Sequence, residues 1–93
     1  MSQQNTIGKH QTRVTQLNDL TKITYHQTDV VRFTPQTITL DSGGWHTPTT
    51  KLRMNQSSNQ YGLGYQVYQR DHTWYINFKN ETMQYRDLIT LTR

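Results

Sequence analysis

Residues 42–69 read SGGWHTPTTKLRMNQSSNQYGLGYQVYQ, and the reading of this stretch decides the fold. Thr47 has the side chain of a helix cap, and Pro48 suits a first helical position, where no amide hydrogen is needed. Lys51 to Met54 favour helix, the preference falls through Asn55, Ser57 and Ser58, and Gly62 supplies a left-handed stop. One helix is therefore expected from about Pro48 to Gln60, between a Ser42-Gly43-Gly44 break and a strand in which Tyr65, Val67 and Gln69 share one face.

Outward from the helix the period is two. Downstream, Trp74, Ile76 and Phe78 alternate with Tyr75 and Asn77, between turns at residues 70–73 and 79–82, and Met83 to Leu91 supplies one or two closing strands. Upstream, Ile23, Tyr25 and Gln27 alternate with Thr24 and His26, residues 30–33 form a second strand, and Ile38 and Leu40 mark a third after the Thr34-Pro35 turn. Residues 1–19 carry only Ile7, Val14 and Leu17 as apolar anchors, so a flexible or weakly docked segment is expected there. Residues 20–93 then form a single α+β domain, an antiparallel sheet of about five to six strands with one central helix packed on it. Val67, Trp74, Ile76 and Phe78 are the expected core.

The 93 residues suffice for one small domain. Hydrophobic residues make up 31% and charged residues 17%, and the difference is filled by 16 Thr, 11 Gln and 6 Asn. Abundant threonine with 11% aromatics argues for a folded, β-rich chain with a thin, aromatic-weighted core. A homodimer is one expected way to enlarge that core. The formal charge of +4 favours acidic or phosphate-bearing partners. Cysteine is absent, which excludes disulfides and thiol chemistry. No apolar run is long enough to span a membrane and no secretory signal precedes the domain, so a cytosolic setting is expected.

At 100° per residue, Met54 and Tyr61 point one way, flanked by Ser57 and Ser58, which lets the helix approach a sheet. Lys51, Leu52, Arg53, Asn55, Gln56, Asn59 and Gln60 fan over the other side. An ordinary solvated face uses Glu-Lys pairs, and this helix contains no acidic residue. Lys51, Arg53, Asn55, Gln56, Asn59 and Gln60 are thus candidates for contact with nucleic acid or another partner, the amides pairing with base edges and the cations with phosphate. Gly43, Gly44, Thr47, Thr49 and Thr50 gather at the helix start as an anion or phosphate candidate, though the pattern is no P-loop. Trp45 and Tyr68 are candidates for stacking on bases.

Catalysis finds no footing. His10, His26, His46 and His72 lack metal-ligand spacing, Glu81 stands alone, and the aspartates form no recognisable acid-base pair. No enzyme activity, cofactor or metal is expected.

The segments Thr28-Asp-Val-Val31, Ser42-Gly-Gly-Trp45, Thr49-Thr-Lys51, Arg53-Met-Asn-Gln56, Ser58-Asn-Gln60 and Val67-Tyr-Gln69 resemble those of a group of small proteins encoded by tailed bacteriophages. The similarity covers about residues 20–91. It implies a viral protein at work in the host bacterial cytoplasm, and brings no assigned activity with it. Together with the basic, amide-rich helix, it leads to an expected accessory protein that binds nucleic acid or a nucleic-acid-handling host complex. A protein inhibitor of a host defence system and a nucleotide-sequestering protein are the alternatives.

Overall fold

The computed structural model describes residues 11–93. Four strands come first: β1 (Thr12–Leu17), β2 (Leu20–Tyr25), β3 (Thr28–Phe33) and β4 (Thr37–Leu40). The helix α1 (Pro48–Tyr61) follows, then β5 (Tyr65–Arg70), β6 (Thr73–Phe78), β7 (Glu81–Gln84) and β8 (Ile89–Thr92). The class is α+β. Among the described residues there are one helix and eight antiparallel strands, beyond the five to six strands expected, and the strands form two sheets: β1-β2-β3-β4-β8 and β5-β6-β7. The closing segment divides between them, since β7 pairs with β6 whereas β8 crosses back to β4.

Residues 12–17 fall in the segment expected to be flexible or weakly docked. They pair with β2 along six residues as an edge strand whose side chains are mostly exposed. The rest of that expectation, residues 1–10, lies outside the described residues.

Local chemistry sets the hairpins. Two-residue loops join β1 to β2 and β2 to β3, where Asn18 (φ 55°) and His26 (φ 58°) take the left-handed conformation. Asp71-His72 and Lys79-Asn80 both have two left-handed residues, with φ between 52° and 68°, as tight turns that match strand twist require.

Alternation then sorts the faces of the five-stranded sheet. Ile23, Val31, Ile38, Leu40, Ile89 and Leu91 are buried and lie opposite one another across the strands. The register slips by one at Val30, so Val30 and Val31 are both buried. Thr15, Lys22, Arg32, Thr39 and Thr90 form one row across the other face. In the smaller sheet Tyr65, Val67, Trp74, Ile76 and Phe78 join the same core, as expected for the last four.

The helix runs from its Thr47 cap to Gly62 at φ 64°. Its fully buried Met54 packs in the core. Its neighbouring polar side chains do something a strand would otherwise do. The Asn55 amide donates to the Val67 carbonyl (2.9 Å) while its oxygen accepts from the Val67 amide (2.8 Å). One turn on, the Ser58 hydroxyl donates to the Tyr65 carbonyl (2.7 Å) and accepts from the Tyr65 amide (3.0 Å). The edge of β5 is thus satisfied by side chains, two residues apart on the strand and three apart on the helix. The Tyr65 hydroxyl closes the seam by donating to the Met54 carbonyl (2.6 Å).

Candidate nucleic-acid interface

The helix is entered through a loop, Ser42 to Thr47, whose conformation is fixed from both ends. The Gly43 amide donates to the Asp41 carboxylate (2.9 Å), and Gly43 (φ 63°) and Gly44 (φ 87°) turn the chain through the left-handed region. Buried Ser42 ties the loop to the β7–β8 connection: its amide (3.1 Å) and hydroxyl (2.6 Å) both donate to Asp87 Oδ1, which also accepts from the Tyr85 hydroxyl (2.7 Å). Partial burial pushes the Asp87 carboxyl up, but the hydrogen bonds from Ser42 and Tyr85 outweigh it and hold the group below its ordinary value of 3.8. Burial, reinforced by Asp87, pushes the Tyr85 hydroxyl up, so it stays a donor. His46 Nε2 lies 3.7 Å from Asp87, and the ring stacks on Trp74 at 4.7 Å.

Serine, aspartate and histidine meet here without forming a nucleophile's relay. The Ser42 hydroxyl donates directly to the carboxylate and is 1% exposed. Its place is that of an anchor, and it holds the next residues of the loop in position.

Trp45 is 69% exposed. It stands at the lip of a groove of about 930 Å³, walled by Gln11, Arg13, Tyr25, His26, Gln27, Thr28 and Thr47, with Val30, Ser42 and Thr50 below. Among the described residues this lining includes no acidic side chain. Arg13, His26 and Gln27 are absent from the expected site because they come from strand ends brought to the loop by the β1–β2–β3 pairing. In the sequence His26 and Gln27 read as the end of a strand, whereas the structure places them in the turn between β2 and β3.

The other expected site residues divide. Gly43 and Gly44 are exposed beside Trp45 and Thr49 is half-buried. Thr47 spends its hydroxyl on the Thr50 amide (3.2 Å) and meets the Thr50 hydroxyl (3.0 Å), and Thr50 is buried. The expected anion seat is therefore corrected at these two threonines: the Thr47 hydroxyl caps the helix and the buried Thr50 hydroxyl pairs with it. Tyr68 stacks on Tyr75 at 5.7 Å on the outer face of the smaller sheet, so it does not join Trp45.

The expected helix face is corrected more sharply. Arg53 is 7% exposed and Gln56 2%. The Arg53 guanidinium lies 5.6 Å from the Tyr25 ring centre and donates to Thr12 (2.9 Å) and Gln56 (3.1 Å). Asn55 is committed to Val67. Lys51 lies 5.8 Å from the centre of the Trp74 ring and reaches Gln69 at 3.4 Å. Only Asn59 and Gln60 of the six are exposed. The amides that look like a recognition surface in sequence serve, at Asn55, to complete a strand edge.

Among the described residues no group of three or more His, Asp or Glu side chains is placed to hold a metal ion, and no helix is long and apolar enough to cross a membrane.

The family model of the Kyanoviridae Gp96 protein matches residues 1–92. No curated protein and no solved structure matches the chain. The chain therefore belongs to the Kyanoviridae Gp96 family, a family of tailed cyanophage proteins, in keeping with the resemblance carried by its central motifs.

Proposed function

We propose that this Kyanoviridae Gp96 family member is a non-enzymatic phage accessory protein that binds single-stranded nucleic acid in the host cytoplasm. A base stacks on Trp45, and the neighbouring strand lies in the groove beside it. One observation carries the reading: a tryptophan 69% exposed at the mouth of a groove that holds Arg13, two glutamines and a histidine, but no acid. Leaving an indole in water without a partner forgoes burial of the largest apolar side chain. Base stacking on an exposed aromatic is tolerant of sequence, and a cation beside it meets the phosphate.

A second reading has its own observation. Leu88 is 56% exposed, and its amide donates to Leu40 (2.7 Å), next to the Ser42–Asp87 tie that anchors the Trp45 loop. Two exposed apolar side chains on linked loops suit a host protein as partner, such as a nucleic-acid-handling or defence complex.

Titration of the protein with a fluorescent twelve-nucleotide single strand tests the first reading, with Trp45 emission as a second signal. Trp45→Ala is expected to weaken binding by about 5- to 150-fold, the range of one stacking contact, and Trp45→Phe by less. Wild-type affinity in Trp45→Ala, or no binding in the parent, refutes it. A mononucleotide bound as tightly as the oligomer identifies a nucleotide-sequestering protein instead. A single host protein recovered from nuclease-treated lysate and lost with Trp45→Ala favours the second reading.

A further inference from the structure

The outer face of the five-stranded sheet holds an arrangement that neither the helix nor the groove explains. Lys22 on β2 and Arg32 on β3 are direct cross-strand partners, and each stands between side chains that face the core or its margin. Residues directly opposite in an antiparallel pair share a face with Cβ atoms about 5 Å apart, and like charges there repel. The row continues on both sides as hydroxyls: Thr15 pairs with Lys22, Thr39 with Arg32, and Thr90 with Thr39. The Thr39 and Thr90 hydroxyls meet at 3.1 Å.

Among the described residues no carboxylate lies within ion-pair distance of either cation. The ion pair recorded among the described residues is His46–Asp87, and residues 1–10 contain no Asp or Glu. Asp29, on the same face, accepts a 2.6 Å hydrogen bond from Thr24. Lys22 and Arg32 are both half-buried, which strengthens their repulsion relative to fully hydrated charges.

We propose that this row seats the phosphodiester backbone of a nucleic acid. The two cations take phosphates, and the exposed Thr15 donates its hydroxyl hydrogen to a phosphate oxygen, whereas the Thr39 and Thr90 hydroxyls are engaged with each other and with the Leu88 carbonyl. A bound anion turns the unfavourable pair into a favourable one. The row has no aromatic or aliphatic anchor of the kind that dominates protein interfaces, whereas cations among hydroxyls are the usual contacts to phosphate. Arg13 lies two residues from Thr15 on β1 and also borders the Trp45 groove. It therefore links the row to the groove, and one strand can follow both. This inference rests on the proposed function for the nature of the ligand, and it adds the surface that the backbone follows.

The full chain is titrated with a twenty-nucleotide oligothymidylate by fluorescence anisotropy from 50 to 300 mM KCl, about the range over which backbone contacts declare themselves. Lys22→Gln/Arg32→Gln is expected to bind at least about tenfold more weakly at the lowest salt, with the slope of log K against log salt reduced by about 1.4, or 0.7 for each lost phosphate contact. Trp45→Ala is expected to lower affinity with the slope kept. Lys79→Gln, in a turn of the smaller sheet, is the control and leaves both unchanged. The double variant is expected to melt no lower than the parent, because a repulsion is removed. Lys22→Gln and Arg32→Gln serve singly if the double variant fails to fold. Parental affinity and slope in the cation variants overturn the proposal, and if Trp45→Ala still weakens binding the groove reading survives alone. Variants that lose only polyglutamate binding place an acidic protein on the row and likewise overturn it.

Discussion

Replacing Asn55 by alanine separates a structural amide from a recognition amide. The change deletes two hydrogen bonds, of 2.9 and 2.8 Å, to the carbonyl and amide of Val67. Each is worth about 1 kcal/mol net, and a backbone group left unsatisfied in a partly buried place costs about 1–3 kcal/mol. Against this, alanine is better in a helix than asparagine by roughly 0.6 kcal/mol. The balance is a loss of about 1.5–3.5 kcal/mol, which in a domain of this size lowers the melting midpoint by roughly 10–25 °C. Asn55→Asp isolates the geometry, because it keeps the shape and the acceptor for the Val67 amide but sets an oxygen against the Val67 carbonyl. It is expected to destabilise at least as much above pH 5. Thermal and urea melts of the three proteins check both. If Asn55→Ala is neutral or raises stability by its helix preference alone, the account of the β5 edge is wrong.

Two further outcomes follow from the loop. Asp87 titrates below its ordinary value of 3.8, so its contribution is present above that pH in the native protein. It is lost as the pH falls through the lower folded value; Asp87→Asn should be less stable at neutrality and should lose less on acidification, as pH-dependent melts would show. Gly43 sits at φ 63°, and a Cβ there collides with the Thr28 hydroxyl. Gly43→Ala should cost about 2–4 kcal/mol from the left-handed conformation and the overlap combined, and adding Thr28→Ala should restore only the overlap part, measured by urea unfolding.

The parts of this fold visible in the sequence are those set by neighbours along the chain. Thr47-Pro48 and Gly62 mark the helix because capping is local, and Trp74-Tyr75-Ile76-Asn77-Phe78 marks β6 because its alternation is complete. β1 escapes notice since its Val14 and Leu17 remain 43% and 67% exposed, and an edge strand needs little apolar signal. The helix face is misread for a different reason. An amide facing solvent and an amide facing a strand edge look alike in sequence, and Asn55 finds Val67 only after the chain turns at Gly62. Trp45 is legible as an unspent aromatic, whereas Arg13 and the Lys22–Arg32 pair depend on strand register, which no spacing within the chain reveals.

The side-chain edge of β5 gives one strand two independent clocks. The amides of Tyr65 and Val67 are held by Ser58 and Asn55, while those of Gln66 and Tyr68, alternating with them, point toward β6 as in an antiparallel pair. Hydrogen exchange at odd positions therefore reports the helix lifting from the strand, and exchange at even positions reports the hairpin itself opening. Adjacent residues on a single strand would record two separate unfolding events.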